Sequence, residues 1–113
     1  CGPCLKELPL LDAMNQRVAE AGGAVVGVNI DDEEARGTRV LTRLDLTLPT
    51  VWDESKALVS QYNPPRMPSS YLVDEAGNVR QVYLGAVDKK GLAVMEADLM
   101  ALLAPKTSEG ATP

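Results

Sequence analysis

Histidine and phenylalanine are absent from this 113-residue chain, and aromatic residues make up only 4% of it. Without histidine there is no Ser-His or Cys-His nucleophile pair and no histidine-containing zinc site within the chain. Two cysteines, Cys1 and Cys4, are too few for a disulfide-rich scaffold. Long apolar runs are missing as well. Runs such as Ala24 to Val28 are far too short to cross a bilayer, so no membrane span is expected. Basic charge is in deficit: 11 Lys and Arg face 16 Asp and Glu, for a net charge of -5. That balance argues against nucleic acid as partner, because such a binder needs cations to displace counterions. What is present is ordinary for one globular domain: 45% apolar and 24% charged residues. With few aromatics, the core must be built from Leu, Val, Ala and Met.

The apolar spacing of Leu5, Leu8, Leu11, Met14 and Val18 predicts a helix from Gly2 to Ala21, kinked at Pro9 and ended by Gly22-Gly23. Ala24 to Ile30 reads as a buried parallel strand. The acidic run Asp31 to Glu34 suits the start of a helix that carries Val40, Leu41 and Leu44 inward, and an acidic surface there would favour a basic partner. Pro49 to Trp52 reads as extended, with Trp52 a packing residue, and Ser55 to Tyr62 as a short helix. Three prolines between Asn63 and Pro68 exclude helix there. Ser70 to Val73 and Val79 to Leu84 read as strands joined by a hairpin loop over 74–78, in which Gly77 and Asn78 supply positive φ. A final helix over Asp88 to Leu103 presents Leu92, Met95, Leu99 and Leu102 to the core, and Ala104 to Pro113 reads as a disordered tail. The alternation of helix and strand is an α/β pattern with a mixed sheet.

Cys1-Gly2-Pro3-Cys4 opens the first helix, and its chemistry suits thiol-disulfide exchange. The spacing lets the two sulfurs bond within one turn, as a redox-active Cys1–Cys4 disulfide. The helix N-terminus favours a thiolate, which is the attacking species. Cys1, at the exposed end, is expected to attack, and Cys4, one turn in, to resolve the mixed disulfide. Pro3 stands in the first turn, where its missing N–H costs nothing. Two blander readings stay open. A metal pair would need two more ligands, and the chain has no histidine and no third cysteine. An inert structural disulfide would close a loop so short that it gains little chain entropy.

The motif, followed by Glu7 and Pro9, resembles the active-site helix of the thioredoxin superfamily, and most closely its TlpA/ResA-like branch of extracytoplasmic thiol-disulfide oxidoreductases. Met67-Pro68-Ser69-Ser70-Tyr71-Leu72-Val73-Asp74, with Gly77 and Val79, is similar to that branch's P-T-T-F-L-I-D-x-x-G stretch. The resemblance covers residues 1–103. It implies a thioredoxin-like mixed sheet flanked by helices. It implies a cis bond between Met67 and Pro68, and a substrate groove in which the Met67 backbone binds an extended segment near Cys1. It implies no metal, nucleotide or flavin. Its partners would be protein thiols and disulfides, such as those of apocytochrome c, with a membrane-linked thiol donor restoring the reduced form. The compartment would be periplasmic or otherwise extracytoplasmic, with a membrane tether through an upstream segment; a cytosolic relative is the alternative. Glu7 stands where it would shuttle protons as a buried carboxylate or, equally, be an exposed or capping residue.

The chain departs from the pattern in several places. It opens on the motif, not on Met, and shows no signal peptide, so upstream sequence is expected. The aromatic residues and the strand that precede the motif in the family do not appear. In that fold this strand lies between Ala24–Ile30 and Ser70–Val73, and its absence would leave two unpaired edges. Residues omitted upstream, a strand from a neighbouring chain, or a sheet that has closed up would each account for this. Pro64 stands where the family tends to have Val, and Arg66 where it tends to have Gly. Arg66 would either bring positive charge near the thiolate or be a solvated surface residue. Two other functions compete. A peroxiredoxin-like peroxidase would need a Thr in a Pro-x-x-x-Thr-x-x-Cys setting, which Cys4 lacks. A binding module would use the fold as a scaffold, with an inert disulfide or with copper on the two cysteines.

Overall fold

The structure, a computed structural model, describes residues 2–104, with side chains from Leu5 onward. Helix α1 (Gly2–Ala19) runs unbroken through Pro9. Proline in a helix interior lacks the N–H that would bond the carbonyl four residues back. The helix stops two residues before the expected end. The amides of Ala21 and Gly23 both turn back to the Val18 carbonyl, at 3.0 and 2.9 Å, and Gly22 takes φ +97°. That left-handed conformation is open to glycine at little cost.

Strand β1 (Gly27–Asn29) is shorter than the seven residues expected. It pairs in parallel with β2 (Thr50–Trp52), in register Gly27 to Thr50 and Asn29 to Trp52. Val25, ahead of it, gives its amide instead to the Asn15 side chain at 2.7 Å. The strand is parallel as the sequence implies, but it is not buried: Val28 keeps 46% of its surface exposed. Helix α2 (Glu34–Arg43) lies between β1 and β2 in sequence and buries none of its residues fully. Val40, Leu41 and Leu44 are only half-buried. Helix α3 (Ala57–Tyr62) starts two residues later than expected, because Asp53 sets its first turn. The buried Asp53 carboxylate accepts from the amides of Leu58 and Val59 at 3.1 and 2.8 Å.

Strands β3 (Ser69–Val73) and β4 (Val79–Leu84) form an antiparallel hairpin, with an irregularity between Leu72 and Val73. Asp74 organises its loop, accepting at one carboxylate oxygen from the amides of Ala76 and Asn78. Gly77 supplies positive φ; Asn78, expected to do the same, does not. Hydrogen bonds from the two amides, with the Arg80 side chain assisting, hold the Asp74 carboxyl below its ordinary range. Helix α4 (Lys89–Leu103) follows, its N-terminus capped by Asp88, which accepts from Gly91 at 2.8 Å.

The core lies between α1 and α4. Met14 and Val18 from one helix and Leu92 and Met95 from the other are buried, together with Leu48. Leu99 and Leu102 are half-buried. Arg17 on α1 donates through Nε and Nη2 to both oxygens of Glu96 on α4, at 2.7 to 3.1 Å. This is the forked geometry in which guanidinium and carboxylate fit best.

The mixed sheet is present as two separate two-stranded sheets, β1-β2 and β3-β4. Beta-strand pairing does not join β1 to β3 among the described residues, so the sheet has not closed up. Between the two halves lies a cleft of about 640 Å³, lined by Leu8, Leu11 and Met14 of α1, Val28 of β1, and Tyr71 and Leu72 of β3. The proposed tail lies, from residue 105 on, outside the described residues.

Candidate active site

Cys1 lies outside the described residues. Gly2, Pro3 and Cys4 form the first turn of α1, and only their backbone is described. The expected placement of the motif at a helix N-terminus therefore holds for these three residues.

Glu7, one turn beyond Cys4, is 4% exposed. It is neither an exposed residue nor a cap of its own helix. Its Oε2 accepts a hydrogen bond from the Val87 amide at 2.9 Å. Val87 lies three residues after the end of β4, just before α4. The same segment makes a second bond: the Gly85 amide donates to the Pro68 carbonyl at 2.9 Å. Residues 85–87 thus tie the start of α1 to the loop before β3. In that loop the Met67–Pro68 bond is cis. Met67 is 50% exposed and Pro68 half-buried. The Ser69 hydroxyl fixes the loop from within, donating to the Arg66 carbonyl at 2.6 Å. Tyr71, next on β3, packs edge-on against Tyr62 with ring centroids 4.7 Å apart.

The structure brings Glu7, Met67 and Pro68 into one hydrogen-bonded assembly with the helix that begins at the cysteine motif. Sequence reasoning did not find Val87 and Gly85, because they contribute only backbone amides. It also missed two buried carboxylates. Asp53 caps α3. Asp12, on α1, sits 3.5 Å from the Thr47 hydroxyl, which donates to it. Trp52 is a packing residue with a polar tether: its Nε1 donates to the Asp31 carbonyl at 2.9 Å. The acidic run is partly neutralised, Asp32 by Lys56 at 3.2 Å and Glu33 by Arg36 at 3.6 Å.

On β4, the Tyr83 hydroxyl donates to the Asp98 carboxylate at 2.6 Å. Burial, and then the Asp98 carboxylate, push the Tyr83 hydroxyl well above the ordinary tyrosine range. Tyr83 therefore stays neutral and serves as a clamp between hairpin and α4.

A helix whose first turn holds Gly2, Pro3 and Cys4 of a Cys-x-x-Cys sequence, a cis-proline loop and the strand-helix order around them define a thioredoxin-like fold. The chain belongs to the Redoxin family, whose model matches residues 1–103. Among curated relatives it is similar to the thiol-disulfide oxidoreductase ResA of Geobacillus kaustophilus, 26% identical over 92 residues, covering 81% of this chain and 53% of that one. It is also similar to the thioredoxin-like protein YneN of Bacillus subtilis, 31% identical over 93 residues, 80% of this chain and 54% of the relative. The chain thus spans about half the length of the curated relatives it matches. Of solved structures, a Chlorobium tepidum protein described as a thiol:disulfide interchange protein DsbE superposes with a TM-score of 0.82 at 25% identity, over 92% of this chain and 73% of the other. StoA of Bacillus subtilis superposes with a TM-score of 0.69 at 26% identity, over 81% and 71%. Among the described residues, no helix is long and apolar enough to cross a membrane.

Proposed function

We propose that this chain is a thiol-disulfide oxidoreductase that reduces protein disulfides through Cys1 and Cys4. The observation that carries the reading is the assembly of three parts: a Cys-Gly-Pro-Cys sequence at the start of α1, Glu7 one turn on, and the cis Met67–Pro68 loop bound to the segment that holds Glu7. The names of the relatives support the same chemistry. In the proposed cycle the Cys1 thiolate attacks one sulfur of the substrate disulfide. The other substrate sulfur leaves as a thiolate and takes up a proton. The Cys4 thiolate, having lost its proton, then attacks Cys1 within the mixed disulfide and expels the second substrate thiol. The substrate gains two electrons and two protons, and the Cys1–Cys4 pair becomes a disulfide. No other cofactor enters. In this reading Glu7, one turn beyond Cys4 on α1, takes up the Cys4 proton as a general base. The backbone of Met67, a residue 50% exposed, would pair with the substrate chain. In this reading the work is done outside the cytoplasm on proteins such as apocytochrome c, and a membrane-linked thiol donor returns the pair to the dithiol.

Redox titration of the full chain against glutathione or dithiothreitol, with intact mass to count thiols, tests the reading. A reversible two-electron couple at about -200 to -270 mV supports a reductase. A couple near about -120 mV would make the chain an oxidant, and no couple at all would overturn the oxidoreductase reading.

A further inference from the structure

The residue before Met67 carries a charge that the cycle above leaves unused. The Arg66 side chain folds along Gly85: a Cβ built at that glycine would meet Arg66 Cδ at 3.5 Å and Nη1 at 3.6 Å. Gly85 is the residue whose amide holds the Pro68 carbonyl. Its φ of +80° and its lack of a side chain leave the face of this turn to the arginine. The guanidinium is thus carried by the cis-proline loop itself and rests on the segment that reaches Glu7. Arg66 is exposed, and among the described residues no carboxylate pairs with it. The nearest acidic residue along that segment, Asp88, is committed to the Gly91 amide at 2.8 Å. Arg17, Arg36, Lys56 and Arg80 have carboxylate partners; Arg66 shares its lack of one with Lys6, Arg39, Arg43, Lys89 and Lys90 among the described residues, and what sets it apart is its place on the cis-proline loop. An unpaired guanidinium in a chain of net charge -5 is a local reversal of the molecule's overall field.

We infer that Arg66 is a specificity-determining residue that favours substrates with a carboxylate beside the disulfide. This rests on the oxidoreductase reading. A substrate strand lying along Met67 would bring its neighbouring residue past the arginine. There an Asp or Glu gains a charge-assisted contact and a Lys or Arg meets repulsion. Because the site is exposed, the preference is modest and is weakened by salt.

The test uses the reduced full chain and three peptide disulfides that differ only at the residue next to cysteine: Glu, Gln or Lys. Single-turnover rates are read from thiol release. We expect the Glu peptide to react about two- to fivefold faster than the Gln peptide, and the Lys peptide to be slowest. The order should compress at 1 M salt. Arg66→Gln should bring the Glu-to-Lys ratio close to one, and Arg66→Lys should keep part of it. Equal rates for the three peptides with the unaltered chain, or an unchanged ratio in Arg66→Gln, would overturn the inference while leaving the oxidoreductase reading intact. Reduction of none of them would overturn both.

Discussion

The Glu7 carboxylate accepts the Val87 amide at 2.9 Å across 80 positions of sequence. Through this one bond the helix that opens on the cysteines is anchored to the turn that leads into α4. Its position makes Glu7 structural whatever its part in proton transfer. Glu7→Ala leaves a part-buried amide without a partner and is expected to cost about 1–3 kcal/mol, measured by denaturant titration. Glu7→Gln keeps an acceptor oxygen and should cost less. If the carboxylate takes up the Cys4 proton, Glu7→Gln will still slow resolution of the mixed disulfide, a rate that stability does not report.

Cys4→Ser should stop the cycle halfway. With no resolving thiol, Cys1 is expected to stay bonded to a substrate cysteine, and intact mass should show the covalent adduct. Cys1→Ser should form none. Retention of partner binding and biological activity by Cys1→Ser would instead favour a binding module.

The Tyr83–Asp98 clamp predicts a dependence on alkaline pH. The folded state holds the Tyr83 proton where the unfolded chain has released it, because burial and Asp98 raise the folded value. Its contribution is full below the unfolded value of about 10 and declines as pH rises above it. Tyr83→Phe should lower stability at neutral pH by about 1–2 kcal/mol through the lost bond to the carboxylate. It should also make the loss of stability above pH ~10 shallower. Denaturation midpoints measured from neutral to alkaline pH check both.

Asp53→Ala removes both side-chain acceptors at the start of α3. The expected cost is about 0.5–2 kcal/mol, the usual range for a lost helix cap. Hydrogen exchange should show Leu58 and Val59 losing protection first, with little change in β3 and β4.

Patterns carried by one element were legible in the sequence; features that depend on two were not. Leu92 and Met95 at helical spacing fixed the inward face of α4, and Val79 to Leu84 bounded β4 correctly. The seven-residue strand over Ala24–Ile30 shrank to three because a strand's length is set by its partners, and β2 offers only Thr50–Trp52. The burial of Glu7 could not be read from its own helix, since what satisfies it is a main-chain amide far along the chain. Asp53 escaped notice because a carboxylate five and six residues before the amides it holds carries no strong spacing signal. The cis bond at Pro68 was implied only by resemblance, and the structure has it.

The contacts that seat α1 have a consequence for the order of assembly. Arg17 and Glu96 stand 79 positions apart, and Glu7 and Val87 80. Forming either bond closes most of the polypeptide into one ring, and that entropy is lost before any reward arrives. The β3–β4 hairpin, by contrast, is closed by a loop of five residues, 74–78. Local closure of this kind is the faster event. The hairpin should therefore condense first and the first helix dock last, so that weakening the Arg17–Glu96 pair quickens unfolding more than it slows folding. Stopped-flow measurement of both rates for Arg17→Gln would show the reverse if α1 docks early. In that order the helix that carries Cys4 is the last to settle in folding and the first to come away, which makes its attachment to α4 a kinetic safeguard on the proposed redox centre.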